Sequence, residues 1–131
     1  MKQFTQKQVL QARELARPEM INALIASNSD VINNPVLVPE TGCATWNHYF
    51  FCPEHSVRLM WDRHSPEVHR CPVDGTTFSG EPYDGAWWRW LNGLNAKACY
   101  ELAVLWLLTD EARYLSKVRD ILMLYARYYP D

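Results

Sequence analysis

Apolar residues recur at roughly helical spacing near the start of the chain, where Val9, Leu10, Leu15, Ile21, Leu24 and Ile25 form one stripe among Gln, Lys, Arg and Glu. Thr5-Gln6-Lys7-Gln8 reads as a capping box, in which the Thr hydroxyl accepts from the amide three residues on and Gln8 reaches back to the Thr5 amide. Phe4 and Val9 are spaced as a hydrophobic staple across that cap. Pro18 removes a helical hydrogen bond and disfavours helix at Arg17, so the pattern predicts a break there and a second helical piece to about Ser27. Residues 1–30 are thus expected to be helical. Asn28 to Gly42, with Asn33-Asn34-Pro35 and Pro39-Glu40-Thr41-Gly42, reads as loop.

Residues 43–80 lose the helical period. Short runs such as Trp46 to Phe51 and Val57 to Trp61 are separated by Cys-Pro and Gly turns, which predicts a small β-rich insert. The helical period returns over 85–131, first in Ala86 to Leu94 and then in Ala96 to Leu108, whose Ala98, Cys99, Leu102, Leu105 and Trp106 predict a deeply buried helix. Thr109 is placed to cap a last helix with Asp110 and Glu111 in its first turn and Leu115, Val118, Leu122, Tyr125 and Tyr129 as its stripe. The two form an antiparallel pair, the unit from which helical toroids and solenoids are built. With Pro130-Asp131 following directly, the pair is expected to need further neighbours, and Leu105, Trp106, Leu122 and Tyr125 to lack them.

A chain of 131 residues suits one domain, and 48% hydrophobic with 21% charged residues excludes a disordered or fibrous class. Thirteen Lys and Arg against 15 Asp and Glu give a net charge of −2, which supplies no basic field for a nucleic-acid backbone. The longest apolar stretch, Leu102 to Leu108, is too short to span a bilayer. Met1 to Leu15 lacks the apolar run of a signal peptide. Neither a nucleic-acid nor a membrane partner is expected.

Cys52-Pro53-Glu54-His55 and Cys71-Pro72-Val73-Asp74-Gly75 repeat one layout, a Cys-Pro turn with a second candidate ligand three residues after the cysteine. In zinc ribbons two such turns on neighbouring hairpins complete a tetrahedron, with a following Gly to relax the backbone. The 15 residues between His55 and Cys71 suit a hairpin. This distribution favours a metal over two disulfides among Cys43, Cys52, Cys71 and Cys99. Cys52, His55 and Cys71 are good zinc ligands; the fourth is Asp74, a harder donor, or the nearby His69 or His48. Three ligands and a water would instead make a catalytic zinc, but only Glu54 and Glu67 are near enough for a base and neither sits in a hydrolase motif. Without metal, Cys52 and Cys71 would serve as small buried hydrophobes.

The run from Val38 to Asp131, about seven-tenths of the chain, resembles the amino-terminal region of heparinase II/III-like polysaccharide lyases. The matching stretches are Val38 to Gly42, Tyr49 to His55, His69 to Gly75 and, most specifically, Ser79-Gly80-Glu81-Pro82-Tyr83-Asp84-Gly85-Ala86-Trp87. Leu105 to Tyr129 is similar to a toroid hairpin of that family. The resemblance implies a mainly α fold, a partial (α/α) toroid of helix hairpins carrying the small β-rich, zinc-ribbon-like insert. It implies one amino-terminal fragment over 1–131, whose partners are the remaining toroid and a β-sandwich of the same protein. The whole enzyme would cleave uronate-containing acidic polysaccharides by β-elimination, with a His or Tyr base, a Tyr acid and a carboxylate-neutralising group on later helices and loops. No catalytic residue is thereby carried onto this chain, and export is common in the family. The alternative is a stand-alone helical binding or scaffold module organised by the metal site.

Trp46, Tyr49, Trp61, Tyr83, Trp87, Trp88 and Trp90 offer flat faces suited to pyranose rings, although at least two-thirds of them are expected in the core. Tyr83, Trp87 and Arg89, around the Asp84-Gly85 junction, are the candidate substrate-binding residues. His48 and Tyr49 would act as acid and base only if the insert lined the cleft.

Overall fold

The computed structural model describes residues 4–40 and 43–129. Thr41 and Gly42 of the Val38–Gly42 stretch, the first three residues, and Pro130-Asp131 lie outside the described residues. The chain is mainly helical with one small antiparallel sheet, and it divides into two compact units: Met1–Val38 with Leu94–Asp131, and Pro39–Gly93.

The first unit opens with α1 (Gln6–Leu15) and α2 (Pro18–Ser27). The capping box forms as the sequence predicts: Gln8 N–H donates to Thr5 Oγ1 at 3.3 Å and Thr5 N–H to Gln8 Oε1 at 2.8 Å. Pro18 stands at the start of α2, where its missing N–H costs no helical bond. The staple does not close, since Phe4 is 74% exposed, and Leu10 and Leu15 also face water. The apolar stripe therefore begins to pack only with Ile21, Leu24 and Ile25 of α2. What ties α1 down is polar: Arg13 Nε donates to Leu107 O at 2.7 Å and its Nη2 meets Asp110 at 3.0 Å.

Part of the expected loop is helix, α3 (Ser29–Asn33), which lays Val31 and Ile32 on the core. Between α2 and α3 the buried Asn28 donates through Nδ2 to Leu24 O at 2.8 Å and to Glu101 Oε2 at 2.7 Å. The bond back to Leu24 closes α2, and α3 starts from Asn28 without a side-chain cap.

The two helical pieces expected around Asn95 are one helix, α4 (Tyr83–Thr109), which begins in the second unit and continues into the first. Asn95 does not break it because its buried amide donates to Leu37 O at 2.9 Å and Tyr125 Oη at 3.1 Å. Asp110, in the left-handed region at φ 64°, ends α4, and α5 (Ala112–Tyr128) follows. Thr109 is not the cap: its hydroxyl donates to Leu105 O at 2.8 Å, Glu111 takes the cap position, and no acid falls in the first turn of α5. With Asp110 joining the helices at one end and Asn95 touching Tyr125 near the other, α4 and α5 are antiparallel.

The core of this unit is Ala98, Leu102 and Leu105 of α4 against Tyr114, Val118 and Ile121 of α5. The buried stripe of α5 is thus 114/118/121 rather than 115/118/122; Leu115 and Leu122 are exposed. Nor is α4 buried all round, since Trp106, Leu107 and Leu108 are only half-covered and Tyr100 is 73% exposed.

In the second unit the Trp46–Phe51 run is not a strand but a single 3-10 turn, Asn47–Tyr49, anchored by the buried Phe50. Three short strands follow in the order β1 (Met60–Asp62), β2 (Ser65–Arg70), β3 (Thr77–Phe78), all antiparallel. Met60 faces Arg70 and Trp61 faces His69, with a bulge at Trp61/Asp62, while His69 faces Phe78. β1 and β2 form the hairpin expected between the cysteine turns. Alternation on β2 turns His69 inward while Val68 and Arg70 face out, and Cys71 just beyond keeps the same inward phase. Phe50, Cys52, Leu59, His69, Cys71, Ala86, Trp87 and Leu91 are all buried.

Candidate metal centre

The two cysteine turns share one hydrogen-bond pattern. Cys52 N–H donates to Val57 O at 2.8 Å and Ser56 N–H to Cys52 O at 2.9 Å; Cys71 N–H donates to Thr76 O at 2.8 Å and Gly75 N–H to Cys71 O at 3.0 Å. Pro53 and Pro72 follow each cysteine, where a fixed φ and an absent donor leave the turn undisturbed. The fifth residue of each turn must adopt a left-handed backbone: Gly75 does so at φ 79°, and Ser56 accepts the same conformation at 52° with a Cβ attached. The two turns therefore bring Cys52, Cys71 and the His55 ring toward a common point.

Three of the four predicted ligands meet there. His55 Nδ1 lies 3.4 Å from Cys52 Sγ and 3.5 Å from Cys71 Sγ, and the three donor atoms are all within 4.8 Å of one another. Both thiols are buried. Such a set of soft sulfur and imidazole donors can hold a metal ion. Asp74 closes the second turn on itself, its Oδ1 accepting Thr76 N–H at 3.0 Å and its Oδ2 the Thr76 hydroxyl at 2.6 Å. Its carboxylate also comes within 4.8 Å of donor atoms of His55 and Glu54. It is exposed, at the solvent side of the buried thiols.

The electrostatics of the cluster favour its charged forms at Asp74, His55 and Cys52. The Thr76 hydroxyl and amide, with Cys71, hold the Asp74 carboxyl at about 2. The hydrogen bond to Cys52 raises His55 against the opposing effect of burial. Burial pushes the Cys52 thiol up, but the His55 backbone and ring and the Glu54 amide outweigh it and bring the thiol below its ordinary value. At Cys71 burial prevails and the thiol is raised.

Neither alternative fourth ligand reaches the cluster. His69 is wholly buried with its Nε2 2.7 Å from Asp84 Oδ1, which joins β2 to the first turn of α4, and its Nδ1 is buried without a partner among the described residues. His48 is exposed, its ring 4.3 Å from that of Tyr49 in a shallow cleft of about 320 Å3 that Tyr83 also lines.

The predicted sugar-binding residues separate. Trp87 is buried and stacks on Trp61 at 4.7 Å, so it is a core residue and not a groove edge. Tyr83 is half-buried with its ring 4.8 Å from Phe78, and Arg89 is exposed. Of the seven aromatic residues weighed as sugar platforms only Trp87 is fully buried; Trp61, Trp88 and Trp90 are half-covered, and Trp46 and Tyr49 face water. Sequence reasoning missed the His69–Asp84 pair, for which the period-two alternation running into Cys71 was the available signal. It also missed the pairing of Trp46 with Arg89 in one cleft, for which no local spacing exists. No family model, curated protein or solved structure matches the chain.

Proposed function

We propose that this chain is the amino-terminal part of a heparinase II/III-like polysaccharide lyase, in which α4 and α5 form part of a toroid wall and the paired cysteine turns hold a structural zinc ion. The observation that carries the reading is how the resembling stretches fold together. Tyr49 to His55 and His69 to Gly75 supply the two turns, and His69 is bonded to Asp84 of the most specific stretch, Ser79 to Trp87. Gly85 of that stretch leaves room for the Cys43 carbonyl, which a Cβ would meet at 2.6 Å.

Zinc is favoured by size as well as by donor type. With Zn–S near 2.3 Å and Zn–N near 2.0 Å, a tetrahedral S–Zn–N angle puts sulfur and nitrogen about 3.5 Å apart. The observed spacings are 3.4 and 3.5 Å. Cys52, His55 and Cys71 would be three ligands and Asp74 the fourth, making a closed site whose role is to fix the hairpin rather than to activate water. The acidic polysaccharide would be cleaved by residues elsewhere in the whole enzyme, so this chain is expected to be catalytically silent by itself.

The test is to incubate the purified chain with heparan sulfate, hyaluronan, chondroitin sulfate and alginate and follow the ultraviolet absorbance of the unsaturated uronate that β-elimination leaves. Silence here, with activity in a longer polypeptide carrying further toroid helices, is the expected result. Release by this chain, lost on changing His48 or Tyr49, would overturn the structural role. Silence in both would favour a helical binding or scaffold module.

A further inference from the structure

Trp46 is 68% exposed and shares with Arg89, Thr45 and Ala44 a cleft of about 150 Å3, large enough for one sugar ring. The juxtaposition is built by the backbone. Thr45 N–H donates to Gly85 O at 3.0 Å and its hydroxyl to Pro82 O at 3.3 Å, docking this segment on the first turn of α4. Arg89 lies one turn beyond Gly85 on the same helix face, so docking Thr45 at Gly85 sets the next residue, Trp46, on the cleft that Arg89 also lines. On the other side the 3-10 turn continues the aromatic surface, with the Trp46 and His48 rings 5.9 Å apart and Tyr49 beyond. Arg89 has no ion-pair or hydrogen-bond partner among the described residues, and no acid lines either cleft among them.

We propose that Trp46 and Arg89 form a binding subsite for an acidic sugar, the indole face taking the apolar face of a pyranose ring and the guanidinium its carboxylate. A large aromatic left exposed beside a free cation calls for a ligand with a flat apolar face and a negative charge at its edge. A hexuronate unit supplies both, with hydroxyls left over for Thr45. Arg matches a carboxylate bidentately, which a lysine at the same place would not. The inference rests on the lyase reading for its ligand class and deepens it, because it places a point of polysaccharide contact on the cysteine-turn unit.

The experiment is calorimetric titration of the full chain with a mannuronate hexasaccharide, a neutral mannose hexasaccharide and a glutamate hexapeptide. The expected result is binding of the acidic sugar at least about tenfold tighter than either control, and a loss of about tenfold or more in Trp46→Ala and in Arg89→Ala. Arg89→Lys should recover part of that loss. Both side chains are exposed, so the variants are expected to keep the native circular dichroism. Equal binding of the hexapeptide, or unchanged affinity in both variants, would overturn the subsite. If the native chain binds the acidic sugar while both variants bind it equally well, the subsite fails and the lyase reading stands. If the native chain binds none of the three, the subsite is overturned, and the zinc and lyase readings are judged on metal content and on activity in the longer polypeptide.

Discussion

His69 Nε2 stands 2.7 Å from Asp84 Oδ1, with the imidazole wholly buried and its ring centre 5.1 Å from that of Phe50 and 6.1 Å from that of Trp87. One polar bond thus fastens the sheet's central strand to the helix that begins at Tyr83. Asp84→Ala leaves an imidazole with no partner at either nitrogen in an apolar site, which costs about 1–3 kcal/mol. Urea denaturation followed by tryptophan emission, with Trp61 and Trp87 as reporters, should show that loss; an unchanged midpoint would mean that the pair contributes nothing.

Gly85→Ala should also destabilise the protein, although Ala is the better helix former. The added methyl would meet the Cys43 carbonyl at 2.6 Å and both Glu81 Oε2 and Thr45 Cγ2 at 2.8 Å. The Cys43 carbonyl cannot swing aside freely, because Thr45 two residues on is bonded to Gly85 O. Overpacking of this kind costs about 1–3 kcal/mol, against about 1 kcal/mol of helix propensity gained. A variant that melts at or above the native temperature would contradict this packing.

The two cysteine turns differ at one informative position. Ser56 occupies at φ 52° the place that Gly75 holds at 79°. Ser56→Gly should relieve a left-handed strain of about 1 kcal/mol, less the entropy a Gly adds to the unfolded chain, and Gly75→Ala should introduce it. Opposite shifts in melting temperature, each a few degrees, are expected. The space around Gly75 is open, so its change acts through the backbone alone.

Glu101 gives the helical unit a pH dependence of known sign. Lys97 at 2.7 Å, followed by Asn28 at 2.7 Å, holds its carboxyl below the ordinary value. A depressed carboxylate stabilises the fold fully above the unfolded value of about 4.3 and loses that contribution as pH falls through the lower folded value. Melting temperature should therefore drop on acidification below about pH 4, and Glu101→Gln should flatten that drop. Equal slopes in the two proteins would remove Glu101 from the account.

Much of this architecture was legible where the signal is local. The capping box at Thr5, the restart at Pro18 and the paired Cys-Pro turns are short patterns whose geometry is set by residues three to five apart. The errors lie where distant contacts decide. Asn95 looks like a helix break, but Leu37 and Tyr125 satisfy its amide and the helix runs on. In α5 two overlapping stripes share Val118 and Tyr125, and only the facing residues of α4 select Tyr114 and Ile121 over Leu115 and Leu122. At the cysteine cluster spacing named Cys52, His55 and Cys71, while removing His69 from the candidates required its bond to Asp84.

The central claim is that the paired turns are a zinc site, and metal content measures it most directly. Purified under reducing conditions with zinc present and then dialysed, the chain should retain about one zinc per molecule by elemental analysis, with a chelator lowering its melting temperature. Cys71→Ser should lose the ion and unfold the cysteine-turn unit while leaving the helical circular dichroism of α4 and α5 largely intact. A chain that retains no metal and melts identically with and without chelator would contradict the account.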